Sequence, residues 1–268
     1  MQFIEAVKMA SAAITRHKLR SFLTLIGIIA GVASIIAVMT GISVIRTSIE
    51  RELSVLGSST FQVQKWAAGG PISEEEARKI MRRRPLTVEH ANAIREKVQT
   101  VDLVGSELWS YNHIAKYKKL ETNQNLIMCG GTSEYAPNNT HYIYLGRNIT
   151  LEDIKVGRNV VVLGYDVAKT LFPWTDPIQR TIRIDGYKFT VAGVFEEKKS
   201  AMLGNYDNYL LVPVTTFQRL YGKWDNRGFE RSVNITVNAK SPEIVQDAIA
   251  EVRAVMRYER NLKPGEED

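Results

Sequence analysis

Histidines, cysteines and carboxylates are the side chains that could hold a metal, move a proton or attack a substrate, and here their spacing does none of these. His17, His90, His113 and His141 are scattered, and no H-E-x-x-H sets two imidazoles on one helix face around zinc. Surface or hydrogen-bonded roles fit them better than a metal site assembled by tertiary approach. Cys129 is the lone cysteine, so no internal disulfide and no C-x-x-C can form. Its neighbours Leu126, Ile127 and Met128 point to a thiol buried in a strand, away from any base that would activate it. No G-x-S-x-G marks a hydrolase nucleophile, no G-x-x-x-x-G-K-[ST] loop cradles ATP phosphates, and no two carboxylates form a distinctive pair. The chain reads as non-enzymatic, with no metal or cofactor of its own.

One spacing does suggest a contact. Gly27 and Gly31 stand four residues apart, and Ser34 and Gly41 continue roughly the same stripe. Small residues at this interval let a second helix approach closely inside a membrane. The element that carries them is a run from Ser21 to Ile45, 25 residues without a charge. At about 1.5 Å per residue it outreaches the roughly 30 Å hydrocarbon core of a bilayer. It is too long for the apolar core of a signal peptide, and no A-x-A cleavage pattern follows it. Arg16, Lys18 and Arg20 flank the near end, while Arg46, Glu50, Arg51 and Glu52 roughly cancel at the far end. That asymmetry predicts a cytoplasmic N-terminus and an exported remainder. Ahead of the run, Phe3, Val7, Ala10 and Ile14 recur at helical interval, so residues 1–20 read as an interfacial amphipathic helix or as more of the same helix.

Composition is that of an ordinary globular fold beyond the membrane run, 44% hydrophobic and 24% charged. A net charge of +6 invites a nucleic-acid reading, yet the densest basic block, Arg82-Arg83-Arg84, follows Glu74-Glu75-Glu76 at helical distance. This looks like a charge-laced helix, not a phosphate-binding stripe, and we exclude nucleic acid as a partner. N-x-T triplets at Asn138, Asn148 and Asn234 matter only in a source that glycosylates exported chains.

The exported part mixes helix and strand signals. Phe61 and Val63 alternate with glutamines in a short strand; Gly69-Gly70-Pro71 and the charged 74–84 block read as a mobile stretch. Thr87 is placed to cap a helix with Val88, Ala91, Ile94 and Val98 on one face. Strands are predicted over Gln124–Cys129, Asn159–Leu163, Leu210–Val214 and Val233–Val237, and Asp166 is expected to cap a short helix ending near Phe172. Asp185-Gly186 between two alternating runs predicts a type I′ hairpin. Ser241, Pro242 and Glu243 open a last helix whose apolar side is Val245, Ala248, Ile249, Val252 and Met256.

Several segments, in order, resemble a known family. The stretch from His17 through Val38, HKLRSFLTLIGIIAGVASIIAV, is similar to the first membrane segment of MacB-type ABC transporter permeases. Gly146–Thr150, Val161–Phe172, Asp176–Ile184, Phe189–Val194 and Val212–Arg219 each resemble a further family segment, with Gln179 where glycine is usual. The resemblance implies an α+β chain: an N-terminal transmembrane helix, then an exported mixed α/β domain with a porter-like part and an inserted, mostly β part. Mapped here, residues 1–20 would be interfacial, 21–45 transmembrane, 46–103 and 207–268 porter-like, and 104–206 the insertion. It also implies a cytoplasmic ABC ATPase as partner, with ATP bound on that subunit. A second permease copy or paralogue in a dimer, a periplasmic adaptor protein and membrane lipid complete the expected partners. The function implied is ATP-driven mechanical export from the cytoplasmic (inner) membrane. The sequence stops near where the family enters its second span, which suggests a fragment or a split permease. A single-pass sensor or scaffold is the alternative, and an anchored hydrolase a third reading.

Overall fold

The structure is a computed structural model that describes residues 5, 18–55, 59–66, 73–198, 207–225, 228–263, 265 and 266. The expected interfacial helix lies almost wholly outside the described residues, as do Arg16 and Gly69-Gly70-Pro71. Two compact units are present, Met1–Glu52 and Leu53–Asp268.

The first unit is dominated by α1 (Lys18–Val55), a single helix of 38 residues. It runs ten residues beyond the uncharged stretch. Its apolar section, Phe22–Val44, has a mean hydropathy of 2.6 and no part of it is buried. Large apolar side chains such as Phe22, Ile28, Ile35 and Met39 stand exposed around it. A helix that is apolar on every side and uncovered by protein is suited to lipid.

The second unit is built on one mixed eleven-stranded sheet. Its strands are β1 (Thr60–Val63), β2 (Val101–His113), β3 (Ala115–Tyr117), β4 (Leu120–Glu121), β5 (Leu126–Gly131), β6 (Ile143–Gly146), β7 (Val160–Leu163), β8 (Thr181–Ile184), β9 (Tyr187–Phe195), β10 (Tyr209–Pro213) and β11 (Asn234–Ala239). Their order is β1-β11-β2-β5-β10-β7-β9-β8-β3-β4, with β6 added beside β9. β10 runs parallel to β5 and β7 parallel to β9; the other pairs are antiparallel.

The helices are α2 (Glu74–Arg82), α3 (Val88–Lys97), α4 (Tyr135–Asn138), α5 (Leu151–Val156), α6 (Tyr165–Leu171), α7 (Val214–Tyr221) and α8 (Val245–Glu259). Period-2 alternation sends side chains to two cores. Leu210 and Val212 of β10 join Ile94, Phe217, Ile235 and Val252 in the larger one. Tyr209 and Leu211 join Cys129, Tyr135 and Phe195 in the smaller.

Several elements differ from their sequence signals. The 74–84 block forms the charge-laced helix that its glutamate and arginine spacing suggests and not a mobile stretch: Ser73 Oγ accepts from Glu76 N at 3.2 Å and starts α2. The strand predicted over Gln124–Cys129 sits two residues later. Gly164, not Asp166, caps α6, because the chain leaves β7 at Leu163 and Asp166 already lies inside the first turn. Pro242 opens a 3₁₀ turn (Pro242–Ile244), and α8 proper begins at Val245. Sequence alternation predicts no strand at 101–113, yet β2 is the longest strand. It is buried on both faces over Val104–Leu108, so no in–out pattern marks it.

Candidate functional site

The small-residue stripe is intact on α1. Steps of four, three and seven residues keep Gly27, Gly31, Ser34 and Gly41 within a sector of about 80° at 3.6 residues per turn. A Cβ added at Gly27, Gly31 or Gly41 would meet nothing within 4 Å, and Ser34 is exposed. The stripe is an open groove along the helix. Lys18 is exposed at the start of α1, and Arg20 follows within its first turn.

Among the described residues of the Leu53–Asp268 unit, three polar centres stand out, two of them on buried carboxylates. The first is Glu107 on β2, only 1% exposed. Its Oε1 accepts from Asn139 Nδ2 at 2.6 Å and its Oε2 from Trp109 Nε1 at 3.2 Å. Burial pushes the carboxyl up to about 7, against the hydrogen bonds of Asn139, Trp109 and Thr236. Nearby, His141 stacks on Tyr135 with ring centroids 5.6 Å apart, and burial together with Lys198 drives its imidazole down to about 3. Cys129 is buried, and burial raises its thiol well above the ordinary range, which makes it inert.

The second centre is Asp153, whose side chain has no exposure. Arg147 Nη1 lies 2.6 Å from Oδ2 and Arg158 Nη1 3.3 Å from Oδ1. Thr150 closes the arrangement, donating its N–H and hydroxyl to Oδ2 at 3.0 and 2.9 Å while capping α5. Burial works to raise this carboxyl, but Arg147 and Thr150 outweigh it and hold it at about 2. The third centre ties the β8–β9 turn to its surroundings. His113 Nδ1 and Tyr221 Oη meet Asp185 Oδ2 at 2.5 and 2.9 Å, and Ile114 N donates to Oδ1 at 3.2 Å.

The three described histidines are put to structural use, with His17 outside the described residues: His90 Nδ1 accepts from Thr87 N at 3.0 Å at the start of α3, His113 meets Asp185, and His141 stacks in the smaller core. Among the described residues no group of three His, Cys, Asp or Glu could hold a metal. Sequence reading missed Glu107 as a buried charged centre and Asp185 as the hub that ties the turn to His113 and Tyr221. Their partners Asn139 and His113 lie 32 and 72 positions away, so no local spacing signals them.

The segments that carry the family resemblance fall on these features: Gly146–Thr150 leads into the Asp153 centre, and Val161–Phe172 spans β7 and α6. The MacB-like periplasmic core domain family matches residues 21–255, taking in both α1 and the sheet. The chain belongs to this family.

Its relatives include the macrolide export ATP-binding/permease protein MacB of Rhodopirellula baltica, 27% identical over 97% of this chain and 40% of the relative. The MacB protein of Chlorobaculum tepidum is 28% identical over 98% of this chain and 39% of its own length. The uncharacterized ABC transporter permease YvrN of Bacillus subtilis is 27% identical over 91% and 59%. The chain therefore spans about 40% of the length of these two MacB proteins.

Two solved structures share the fold. The periplasmic region of MacB from Actinobacillus actinomycetemcomitans aligns with a TM-score of 0.61 at 18% identity, covering 78% of this chain and 87% of that one. The extracellular domain of the ABC-type transporter YknZ from Gram-positive bacteria gives 0.58 at 19%, covering 76% and 96%. The Leu53–Asp268 unit is thus a MacB-like core domain of an ABC transporter permease, preceded by one helix long and apolar enough to cross a membrane.

Proposed function

We propose that this chain is the membrane-anchored, extracytoplasmic part of a MacB-like permease in ATP-driven mechanical export. The observation that carries the reading is the single family match from residue 21 to 255, which joins the uncovered helix α1 to the sheet domain in the order such permeases use. ATP is bound and hydrolysed on a cytoplasmic ABC ATPase, and this chain takes no part in that chemistry. A second permease copy or paralogue packs against the stripe of Gly27, Gly31, Ser34 and Gly41. A periplasmic adaptor protein and the surrounding lipid are further partners.

Lys18 and Arg20, with Arg16, hold the N-terminus in the cytoplasm, so the sheet domain lies outside the inner membrane. Within that domain, residues 46–103 and 207–268 form the porter-like part. Residues 104–206 form the insertion. β1 and β11 at one end of the sheet and β8, β3 and β4 at the other support this division, while β10 of the 207–268 segment pairs with β5 and β7 of the insertion, so the two parts share one sheet.

The test is composition of the native complex. After crosslinking in intact cells and purification from membranes, an ABC ATPase should accompany the chain in stoichiometric amount, and its ATP hydrolysis should be blocked by vanadate. A chain that purifies without any ABC ATPase overturns the export reading.

A further inference from the structure

We propose that the cavity enclosed by the end of β1, the end of α2 and the last turns of α8 binds a phosphate group carried on an apolar molecule. The cavity measures about 500 Å³, and Arg83, Arg84, Arg253, Arg257 and Arg260 all line it. No Asp or Glu is among its described lining residues. Leu86, Met256 and Leu262 supply an apolar wall beside the guanidiniums.

Helix ends explain part of this gathering. Arg84 Nη2 donates to Arg260 O, Arg260 Nη2 returns a bond to Arg84 O at 2.9 Å, and Arg257 Nη1 donates to Glu266 O at 2.7 Å. Arg84 thus bonds the carbonyl that caps α8, a stabilising place for a cation, while Arg257 ties down the segment after the helix. Arg83 and Arg253 are different. Neither guanidinium makes a hydrogen bond or ion pair with the described residues, and Arg253 lies well before the end of α8 and is exposed. They add charge that the fold itself does not use.

Burial first, and then the charge of Arg260, hold the His90 imidazole on α3 below its ordinary range. Nearby carboxylates are engaged elsewhere: Glu259 pairs with Lys97, and Glu251 accepts from Thr100 Oγ1 at 2.9 Å.

Arginine's planar fork suits phosphate, which offers several oxygens and up to two charges to converging guanidiniums. One carboxylate would neutralise far less of this charge. The apolar wall then favours a phosphate that is attached to a hydrocarbon part over the bare ion.

The test uses the full chain in dodecyl maltoside and isothermal titration with three probes: dihexanoyl phosphatidic acid, dihexanoyl phosphatidylcholine and inorganic phosphate. Phosphatidic acid should bind, with the zwitterionic lipid much weaker and inorganic phosphate a weak competitor. Arg83→Gln combined with Arg253→Gln should lower its affinity at least about tenfold, which is about 1.4 kcal/mol. The melting midpoint should not move, because these two side chains bond to nothing in the fold. Lysine at both positions should recover part of the affinity. Equal affinity for inorganic phosphate would keep the anion site and remove the apolar carrier. No binding by the folded wild-type chain, or undiminished binding by the glutamine variant, would overturn the proposal.

Discussion

Glu107 Oε1 accepts a hydrogen bond from Asn139 Nδ2 at 2.6 Å in the interior of the sheet domain, where α4 covers β2. Burial raises this carboxyl from 4.5 to about 7, so the folded unit holds its proton more tightly than the unfolded chain does. The stability this group contributes is fully present below pH 4.5 and is lost as pH rises through about 7. At 1.36 kcal/mol per unit the loss is at most roughly 3 kcal/mol. Glu107→Gln should therefore gain on the wild type between pH 4.5 and 8 in urea unfolding of the Leu53–Asp268 unit. His141, held near 3, works in the opposite sense in both proteins, so the difference between them isolates Glu107. A pH-independent difference would remove the buried-proton reading.

Asp153 has the reverse sign. Its carboxyl is held at about 2 against a usual 3.8, so its contribution is present above pH 3.8 and is lost as pH falls through 2. Asp153→Ala would leave Arg147 and Arg158 facing each other without their anion, and should cost about 2–4 kcal/mol at pH 7. Asp153→Asn keeps the capping acceptor for α5 and should cost less. Equal losses for the two variants would show that charge is unimportant there.

What the sequence disclosed and what it hid follow one physical division. The β8–β9 turn was legible because Asp185 and Gly186 both take positive φ, at 49° and 90°, a demand met by few residue pairs. The apolar stripe of α8 was legible because helical period is local. β2 was hidden because burial on both faces erases alternation, and Ser106, Glu107 and Ser110 put polar residues where a core strand is expected to be apolar. The Asp185–His113 contact was hidden because it depends on how β3 pairs with β8, which no short window contains. The arginine cavity was hidden for the same reason. Arg82-Arg83-Arg84 reads as a solvated helix face until α8 brings Arg253, Arg257 and Arg260 alongside.

Two glycines separate backbone strain from crowding. Around Gly186 nothing lies within 4 Å of an added Cβ, so Gly186→Val meets only the cost of a β-branched residue at positive φ, roughly 1–3 kcal/mol. At Gly130 an added Cβ would sit 2.4 Å from Phe217 Cβ, inside the larger core. Gly130→Ala must displace α7 from β5 and should cost more than Gly186→Val. Thermal melts of the two variants give the order; the reverse order would mean that the hairpin, not the core, is the stricter constraint.

Topology follows from charge at the two ends of α1. Trypsin added outside intact cells, with any outer membrane permeabilised, should cut beyond Arg46 and spare Lys18 and Arg20. The opposite pattern would reverse the orientation and with it the export proposal.

The stripe on α1 distinguishes a working helix from a simple anchor. Within this chain an added Cβ at Gly27 or Gly31 meets nothing within 4 Å, so leucines there extend into open space beside α1. Insertion should if anything improve, since leucine is more apolar than glycine. Any loss caused by Gly27→Leu with Gly31→Leu must then come from another helix that these side chains push away. Ser34→Cys, placed in the same stripe, provides the readout. Cys129 is buried and stays out of the reaction, so oxidative crosslinking in membranes reports helix contacts at position 34 alone. We expect a crosslinked species in the assembled transporter, abolished by the two leucines, together with a fall in export at matched membrane levels. Crosslinking and export that both survive the leucines would reduce α1 to an anchor and leave the sheet domain as the sole candidate for partner contact.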